Sequence, residues 1–265
     1  MGIEYTKAGA VATFTLANGK VNPLTLEMHR EMLAALRDFT ADPDLKVGIL
    51  TGAGDRAFSA GDDIRNESPT SGDTVTDLLG AMGRGPARVE DPDPMGWDPA
   101  DGVLTFARTK PIIGAVRGWC LGRGLHYLLN LTEIRIATPD ARFGLPEIAY
   151  GMGGIAGTMQ LARYLPRTTA WEMALTGDPI DAAEALRVHL VNRVVEPDDL
   201  LPEARRIADA IARHPALAIR TEMELLRRTE DLHPDAAHAL GMGLYRAQRL
   251  AIGESDVQAA FLYKR

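Results

Sequence analysis

The stretch Val47–Ile64 (VGILTGAGDRAFSAGDDI) carries the two features on which the fold prediction rests. Its first part, Val47–Thr51, is a short apolar run that ends at Gly52, which is typical of a buried strand. Its last part, Ala57–Ile64 (AFSAGDDI), holds small residues around Gly61, where the backbone can approach a ligand closely and turn an N–H group towards it. The stretch therefore predicts a buried strand followed by a ligand-binding loop.

The same alternation of strands and helices continues on both sides of this stretch. Upstream, Val11–Leu16 predicts a strand, and Thr25–Phe39 predicts a helix because its apolar residues recur mostly at intervals of three or four. Downstream, the predicted elements are strands at Ile112–Val116, Ile134–Ala137 and Leu190–Val195, a helix after the Gly118–Gly124 turn, and helices at Gly153–Leu165 and Ala182–Arg187. This order predicts an α/β fold with a parallel sheet flanked by helices.

Two stretches depart from that pattern. Between residues 65 and 102 the chain is crowded with Pro, Gly and Asp, and only Val75–Met82 is weakly helical. We interpret this segment as a surface excursion, with a mobile flap over a site as the alternative. From Pro197 onward the sequence is amphipathic and helical. We therefore divide the chain into a core at residues 1–197 and a helical region at residues 198–265, which is too small for a core of its own.

Composition excludes several classes of protein. The 265 residues include 29 Lys and Arg against 36 Asp and Glu, and the net charge of −7 disfavours nucleic acid or an anionic membrane as a partner. The single cysteine, Cys120, cannot form an intrachain disulfide and favours a reducing compartment. The N-terminus lacks the features of a signal peptide, and no apolar run is long enough for a membrane helix. A cytoplasmic protein is expected.

Three common motifs are matched poorly. Gly151-x-Gly153-x-x-Ala156 lacks the preceding buried strand and the later acidic residue that a dinucleotide fingerprint requires. Ser59 has Ala57 where a nucleophile elbow needs glycine. The histidines show no metal-ligand spacing, so no metal site is expected.

Two other segments have the character of a reaction site. Gly118–Gly124 (GWCLGRG) follows a strand and opens a helix, whose N-terminal N–H groups favour developing negative charge. Together with the loop around Gly61 it predicts an oxyanion site with two donors. Phe143–Glu147 (FGLPE) places a carboxylate in apolar surroundings, where burial would raise its pKa towards neutrality. A paired, structural glutamate is the alternative for Glu147.

The order of these motifs resembles the enoyl-CoA hydratase/isomerase (crotonase) superfamily over nearly the whole chain. The segments that carry the resemblance are Asn22–Leu24, FSAGDDI, Lys110–Val116, Asp140–Glu147, Leu175–Gly177 and the closing Phe261–Arg265. The resemblance implies a spiral of ββα units followed by a helical region that builds trimers, often paired into hexamers. It also implies an acyl-CoA substrate, with coenzyme A as part of that substrate and no separate cofactor.

The family's site residues carry over position by position. The resemblance assigns the first oxyanion donor to the Ala60 N–H and the second to the N–H of Arg123 or Gly124, where the family has the middle of G-G-G. Both would stabilise a thioester enolate. The resemblance implies contacts with coenzyme A by three residues of the helical region, Tyr245, Phe261 and Lys264.

The sequence departs from the family at the first of its two glutamates. The second glutamate is Glu147, the expected acid/base, but counting from either flanking motif puts the first at His126 or at Tyr127. His126 could act as a base because the ordinary pKa of histidine is about 6.5, whereas Tyr127 would more readily donate a hydrogen bond. The alternative is that both merely fill the pocket wall. Asp62, where the family has a neutral residue, and Trp119 are expected in the substrate pocket.

The sequence thus predicts an enzyme of enoyl-CoA hydratase or isomerase type that hydrates a 2-enoyl-CoA. Loss of the first glutamate keeps double-bond isomerisation as the alternative, together with decarboxylation or thioester hydrolysis. A non-catalytic acyl-CoA-binding protein is the alternative of another class.

Overall fold

The computed structural model describes residues 1–63 and 99–252 of the protein. The helical pattern at Val75–Met82, most of the segment from 65 to 102, and two of the residues expected to contact coenzyme A, Phe261 and Lys264, lie outside the described residues.

The strands of the described residues form two sheets. Their bounds are β1 Gly2–Ala8, β2 Val11–Ala17, β3 Val47–Gly52, β4 Ala57–Ser59, β5 Ile112–Val116, β6 Trp119–Leu121, β7 Ile134–Ala137, β8 Arg142–Gly144, β9 Ile180–Asp181 and β10 Arg193–Val194. The larger sheet has the order β1-β2-β3-β5-β7-β10 and the smaller one β4-β6-β8-β9. Apart from the antiparallel pairs β1–β2 and β8–β9, neighbouring strands are parallel.

Helices connect and cover these strands. Their bounds are α1 Leu26–Ala41, α2 Pro99–Leu104, α3 Arg123–Leu131, α4 Ile155–Tyr164, α5 Arg167–Thr176, α6 Ala182–Arg187, α7 Leu200–Ala212, α8 Ala216–Thr229 and α9 Pro234–Ile252, with a 3₁₀ turn at Pro146–Tyr150 and another at Pro197–Asp199. None of the helices in the described part of the chain has the length and apolar character that a membrane span requires.

The chain passes between the two sheets once in each repeat of the spiral. β3 leads into β4, β5 into β6 and β7 into β8, with the first strand of each pair in the larger sheet and the second in the smaller one. The transition from β5 to β6 is a tight turn at Gly118, where φ is +65° and an added Cβ would lie 2.0 Å from the Arg56 carbonyl O. The predicted spiral within an α/β fold is confirmed.

The larger sheet buries apolar side chains on both faces, as its near-continuous apolar strands predict. One face packs with α1 and the smaller sheet in the main core, which includes Phe14, Leu36, Leu50 and Phe58. The other face packs against α7, in a second cluster that contains Val47, Ile49, Ile113, Ala204 and Ile207. Helix α7 lies C-terminal to residue 198, so this part of the predicted helical region covers the sheet of the same chain.

Most of the predicted elements are confirmed, and the misses are one long strand, two helices and several strands of two or three residues. Helix α1 has the predicted N-cap, since the Thr25 hydroxyl accepts a hydrogen bond from the Met28 N–H. The strand predicted at Leu190–Val195 comprises only Arg193–Val194. Strands β1, β4, β6, β8 and β9 and helices α2 and α5 were not predicted; the Gly-rich segment expected to be a turn contains β6.

The tight turn at Gly118 generates a stability prediction with a matched control. Gly9 has a similar φ of +61° but nothing within 4 Å of an added Cβ, so Gly9→Ala tests the backbone cost alone, about 1–2 kcal/mol. Gly118→Ala adds a clash with backbone and is expected to lower the free energy of unfolding by about 3 kcal/mol or more in urea denaturation. Equal losses in the two variants would contradict the close approach.

Candidate active site

The loop after β4 and the N-terminus of α3 lie in direct contact. Gly61, at a φ of +98°, is so close to the start of α3 that an added Cβ would lie 3.4 Å from the Arg123 backbone N and 3.2 Å from the Leu121 carbonyl O. At Gly124 an added Cβ would lie 2.7 Å from the Ser59 Cβ. Glycine at both positions therefore lets the two backbones meet, as the sequence predicts for a pair of ligand-binding turns.

The hydrogen bond of the Ala60 N–H corrects the prediction that Ala60 provides the first oxyanion donor. The Ala60 N–H donates to the Val21 carbonyl O at 2.9 Å, so this group is occupied within the fold. It cannot serve a ligand without giving up that bond.

The next candidate donor in this loop is the N–H of Asp62. Asp62 forms an isolated bridge with Leu24, in which the Leu24 N–H donates to the Gly61 carbonyl O and the Asp63 N–H donates to the Leu24 carbonyl O, both at 2.8 Å. Because successive peptide groups of an extended chain point in opposite directions, the Asp62 N–H points away from Leu24. No acceptor for it lies among residues 1–63 and 99–252.

The second candidate donor lies in the first turn of α3. Gly122 precedes the helix as its N-cap, with φ +51° and ψ −126°, and provides no capping side chain. The N–H groups of Arg123 and Gly124 follow in the first turn of the helix, where backbone N–H groups point along the helix axis. The structure places both predicted second donors beside the Gly61 loop.

His126 and Glu147 meet one turn further along α3. The His126 Nε2 and Glu147 Oε1 atoms are 3.4 Å apart, and the two side chains are only 7% and 18% exposed. An added Cβ on Gly122 would lie 3.3 Å from the Glu147 Oε1, so the carboxylate also borders the turn that precedes α3. The acid–base pair and the backbone donors therefore share one site.

The polar atoms of this pair lack hydrogen bonds. Within the described residues, His126 Nδ1, His126 Nε2 and Glu147 Oε2 are buried and have no hydrogen-bond partner. The His126 ring is held in place by packing, because an added Cβ on Gly157 would lie 2.5 Å from its Nε2. Buried polar groups without partners are uncommon and mark places where a ligand or water completes the structure.

Tyr127 follows His126 on α3 but points in a different direction, into the main core. Its side chain is fully buried, and its hydroxyl is 2.6 Å from His29 Nδ1. The sequence left open whether His126 or Tyr127 takes the position of the family's first glutamate. The structure brings His126 to Glu147 and turns Tyr127 towards α1.

The Asp62 carboxylate links three elements. Its Oδ1 is 3.3 Å from His29 Nε2, and its Oδ2 accepts a hydrogen bond from Arg123 Nε at 3.1 Å. Burial opposes ionisation of Asp62, but the contact with His29 and the charge of Arg123 outweigh it, and the pKa is lowered. His29 was missed in the sequence, although its spacing from Met32 and Leu33 places it on the buried face of α1.

Two other predicted site residues lie away from this pair. Trp119 begins β6, at the end opposite to Gly122, and is 44% exposed. Tyr245 is exposed on α9, where the Arg249 Nη1 donates to its hydroxyl at 3.3 Å. The structure brings neither residue to His126 and Glu147 within one chain.

Comparison with known proteins places the fold and site in a family. The family model described as Enoyl-CoA hydratase/isomerase matches residues 6–81 and 96–248. A carnitinyl-CoA dehydratase of Shigella flexneri is 32% identical over 237 residues, 89% of this chain and 84% of that protein. A short-chain-enoyl-CoA hydratase of Clostridium acetobutylicum is 31% identical over 265 residues, 98% of this chain and 94% of that protein.

A solved structure shows the same similarity. The crystal structure of an enoyl-CoA hydratase from Bacillus anthracis superposes with a TM-score of 0.83 at 26% identity, covering 100% of this chain and 97% of that one. Fold and comparisons together define an enzyme with a strand spiral, in which a buried histidine and a buried glutamate lie in contact. The chain belongs to the enoyl-CoA hydratase/isomerase family, as the resemblance predicts.

The buried contact between Tyr127 and His29 generates the second stability prediction. Tyr127→Phe leaves the His29 ring without its partner in the core, and we expect the free energy of unfolding to fall by about 1–3 kcal/mol. Tyr5→Phe removes an exposed hydrogen bond to Asp38 and is expected to cost less than about 0.5 kcal/mol. Denaturant titration measures both values, and a loss at Tyr127 no larger than at Tyr5 would contradict the burial of this bond.

Proposed function

We propose that the protein catalyses reversible addition of water to the double bond of a 2-enoyl-CoA. The observation that carries this proposal is the placement of His126 Nε2 3.4 Å from Glu147 Oε1, beside a turn rich in backbone donors. Hydration needs one group to activate water and another to handle the proton at the α-carbon, and this pair supplies both.

The thioester oxygen is assigned to the two loops that meet at Gly61. The Asp62 N–H is the first donor, in place of Ala60, and the N–H of Arg123 or Gly124 at the start of α3 is the second. Backbone donors fixed in this way stabilise the negative charge that develops on the oxygen as the enolate forms. The helix N-terminus adds a favourable dipole.

The reaction then divides between the two side chains. His126 takes a proton from water as its oxygen bonds to the β-carbon, and the electron pair of the double bond moves through the α-carbon to the thioester oxygen. Glu147, protonated at this stage, gives its proton to the α-carbon as the enolate collapses. The surplus proton on His126 passes to Glu147 across the 3.4 Å gap, which restores both groups.

The reverse reaction is part of the proposal. A catalyst accelerates both directions, and one relative is named a dehydratase and another a hydratase. The acyl group carries the double bond, coenzyme A enters only as part of the substrate, and no separate cofactor is needed for these steps.

Double-bond isomerisation is the second candidate, favoured because only one of the two family glutamate positions, Glu147, holds a carboxylate. Glu147 alone could remove a proton from one carbon and return it to another, while the backbone donors hold the dienolate. The two reactions differ in mass balance, because hydration adds one water to the substrate and isomerisation adds nothing.

We extend the proposal to a trimer or a dimer of trimers. Apolar side chains of the Pro146–Tyr150 turn, α5 and the residues around them are exposed in the single chain, and a surface cavity of about 490 Å³ lies among them. They include Ile148, Met152, Trp171 and Leu175. Large exposed apolar patches mark interaction surfaces, and light scattering with size-exclusion chromatography measures the assembly directly.

Replacing the carboxylate tests the acid–base assignment. Glu147→Gln keeps the shape of the side chain but cannot cycle a proton, so we expect kcat to fall by about 10²–10⁴-fold while acyl-CoA binding changes little. Turnover is followed by loss of enoyl absorbance and by product mass. Glu172→Gln, on the exposed face of α5, is the control and should match the unaltered enzyme. Unchanged kcat in Glu147→Gln would overturn the assignment.

Replacing the histidine separates the two candidate reactions. His126→Gln places an amide near the position of Nε2 but removes the base that activates water. We expect hydration to fall by about 10²-fold or more, whereas exchange of α-protons of bound acyl-CoA with deuterated solvent persists through Glu147. Isomerisation of a 3-enoyl-CoA by this variant at the rate of the unaltered enzyme, with no hydration by either protein, would favour the second candidate.

A further inference from the structure

Asp62, assigned as the first oxyanion donor, and Arg123, one of the two candidates for the second, carry charged side chains that bind each other. The Arg123 Nε donates to Asp62 Oδ2 at 3.1 Å, with the side chains 22% and 40% exposed. A backbone donor needs no side chain to do its work, and small residues would suffice at both positions. The pairing of two charges at this point therefore calls for an explanation beyond donation by the backbone.

The pair belongs to a ring of contacts that closes on α3. Asp62 Oδ1 is 3.3 Å from His29 Nε2, and His29 Nδ1 is 2.6 Å from the Tyr127 hydroxyl. Because a carboxylate can only accept, the His29 Nε2 donates to Asp62, and the Tyr127 hydroxyl pairs with the other ring nitrogen. Tyr127 is four residues after Arg123 on the same helix, so the two lie on one face of α3. Both ends of the ring are thus fixed to one rigid element.

The negative charge of Asp62 within this ring affects the proposed reaction. The pKa of Asp62 is lowered, so the side chain is a carboxylate at neutral pH. The same residue presents its N–H to the thioester oxygen, on which negative charge develops. Without a positive charge beside it, the Asp62 carboxylate would repel the negative charge on the thioester oxygen and so oppose the two donors.

We propose that Arg123 and Asp62 form a positioning pair, in which the Arg123 guanidinium neutralises the Asp62 carboxylate and holds the two backbone donors at a fixed spacing. The inference rests on the oxyanion site of the proposed function, but not on which reaction follows. Arg123 acts through Asp62 and through the donors, so its side chain is a positioning group. Removal of the Arg123 side chain should therefore weaken enolate stabilisation mainly when Asp62 is still a charged carboxylate.

Acetoacetyl-CoA provides a readout that is independent of turnover. Its enolate absorbs in the near ultraviolet, so the pH at which the bound ligand ionises measures how strongly the site stabilises an oxyanion. The variants are Arg123→Met, Asp62→Asn and the double variant. Because both side chains are partly exposed, neither replacement leaves a large buried cavity; circular dichroism checks the fold, and Arg123→Gln replaces Arg123→Met if that variant is unstable.

The expected pattern is a rescue. Arg123→Met should weaken stabilisation of the bound enolate by about tenfold or more, and Asp62→Asn in the same chain should restore it to within about threefold of the unaltered protein. Asp62→Asn alone should have the smaller effect, because it removes the repelling charge. The matched control is the exposed ion pair of Arg163 and Asp231, 2.8 Å apart, where Arg163→Met should change nothing.

Other outcomes overturn the inference in distinguishable ways. Additive losses in the double variant would show that the two side chains do not compensate each other, which rejects the positioning pair and leaves the oxyanion site intact. Full enolate stabilisation in Arg123→Met would do the same. No enolate signal from the unaltered protein, with acetoacetyl-CoA bound, would reject the oxyanion site and the inference together. A normal signal without hydration would reject only the proposed reaction.

Discussion

The close contact between two stretches of backbone is the constraint on which the site depends. The loop after β4 and the turn before α3 meet through Gly61, Gly122 and Gly124, and at Gly124 even a methyl group would lie 2.7 Å from the Ser59 Cβ. The contact exists because the spiral places the carboxyl ends of β4 and β6 side by side in one parallel pair. Turns that follow neighbouring parallel strands then open on the same edge of the sheet, as in other α/β folds. The glycines let the two stretches of backbone approach closely at that edge.

The contact between His126 and Glu147 is maintained against a local cost. Three buried polar atoms, one on Glu147 and two on His126, have no hydrogen-bond partner within residues 1–63 and 99–252, and each such group costs about 1–3 kcal/mol. The surrounding core fixes their positions, since Gly157 and Gly122 pack directly against the His126 ring and the Glu147 carboxylate. A site that needs an unpaired base and acid in a defined geometry must obtain its stability elsewhere, here from the two apolar layers on either side of the larger sheet.

The sequence predicts the long elements and the family, but not which side chains and N–H groups the fold brings together. Val47–Thr51 and the helix at Thr25–Phe39 have clear periodicity and agree with the structure within a few residues, whereas three-residue strands such as Trp119–Leu121 are too short to show a period. Ala60 and Asp62 lie two residues apart in the same loop. Only the hydrogen bond from the Ala60 N–H to the Val21 carbonyl O shows which of their N–H groups is occupied. His126 and Tyr127 are adjacent, but one residue turns a helix by about 100°, which decides between the site and the core. His29 belongs to the site through contacts across the fold, so its local spacing indicates burial and no function.

In the proposed oxyanion site, the side chains of Asp62 and Arg123 would add their own electric field to that of the backbone donors. With small residues there, the oxyanion would meet only the N–H groups and the dipole of α3, and stabilisation would be set by backbone shape. Asp62 adds a negative charge and Arg123 a positive charge at the same place. The Asp62 carboxylate is the nearer of the two to the Asp62 N–H, the first donor. Their effects cancel only while the pair stays closed, so enolate stabilisation becomes coupled to a side-chain contact 3.1 Å long. His29 and Tyr127 tie that contact to α1 and α3, which makes the rigidity of the core part of the electrostatics of the reaction.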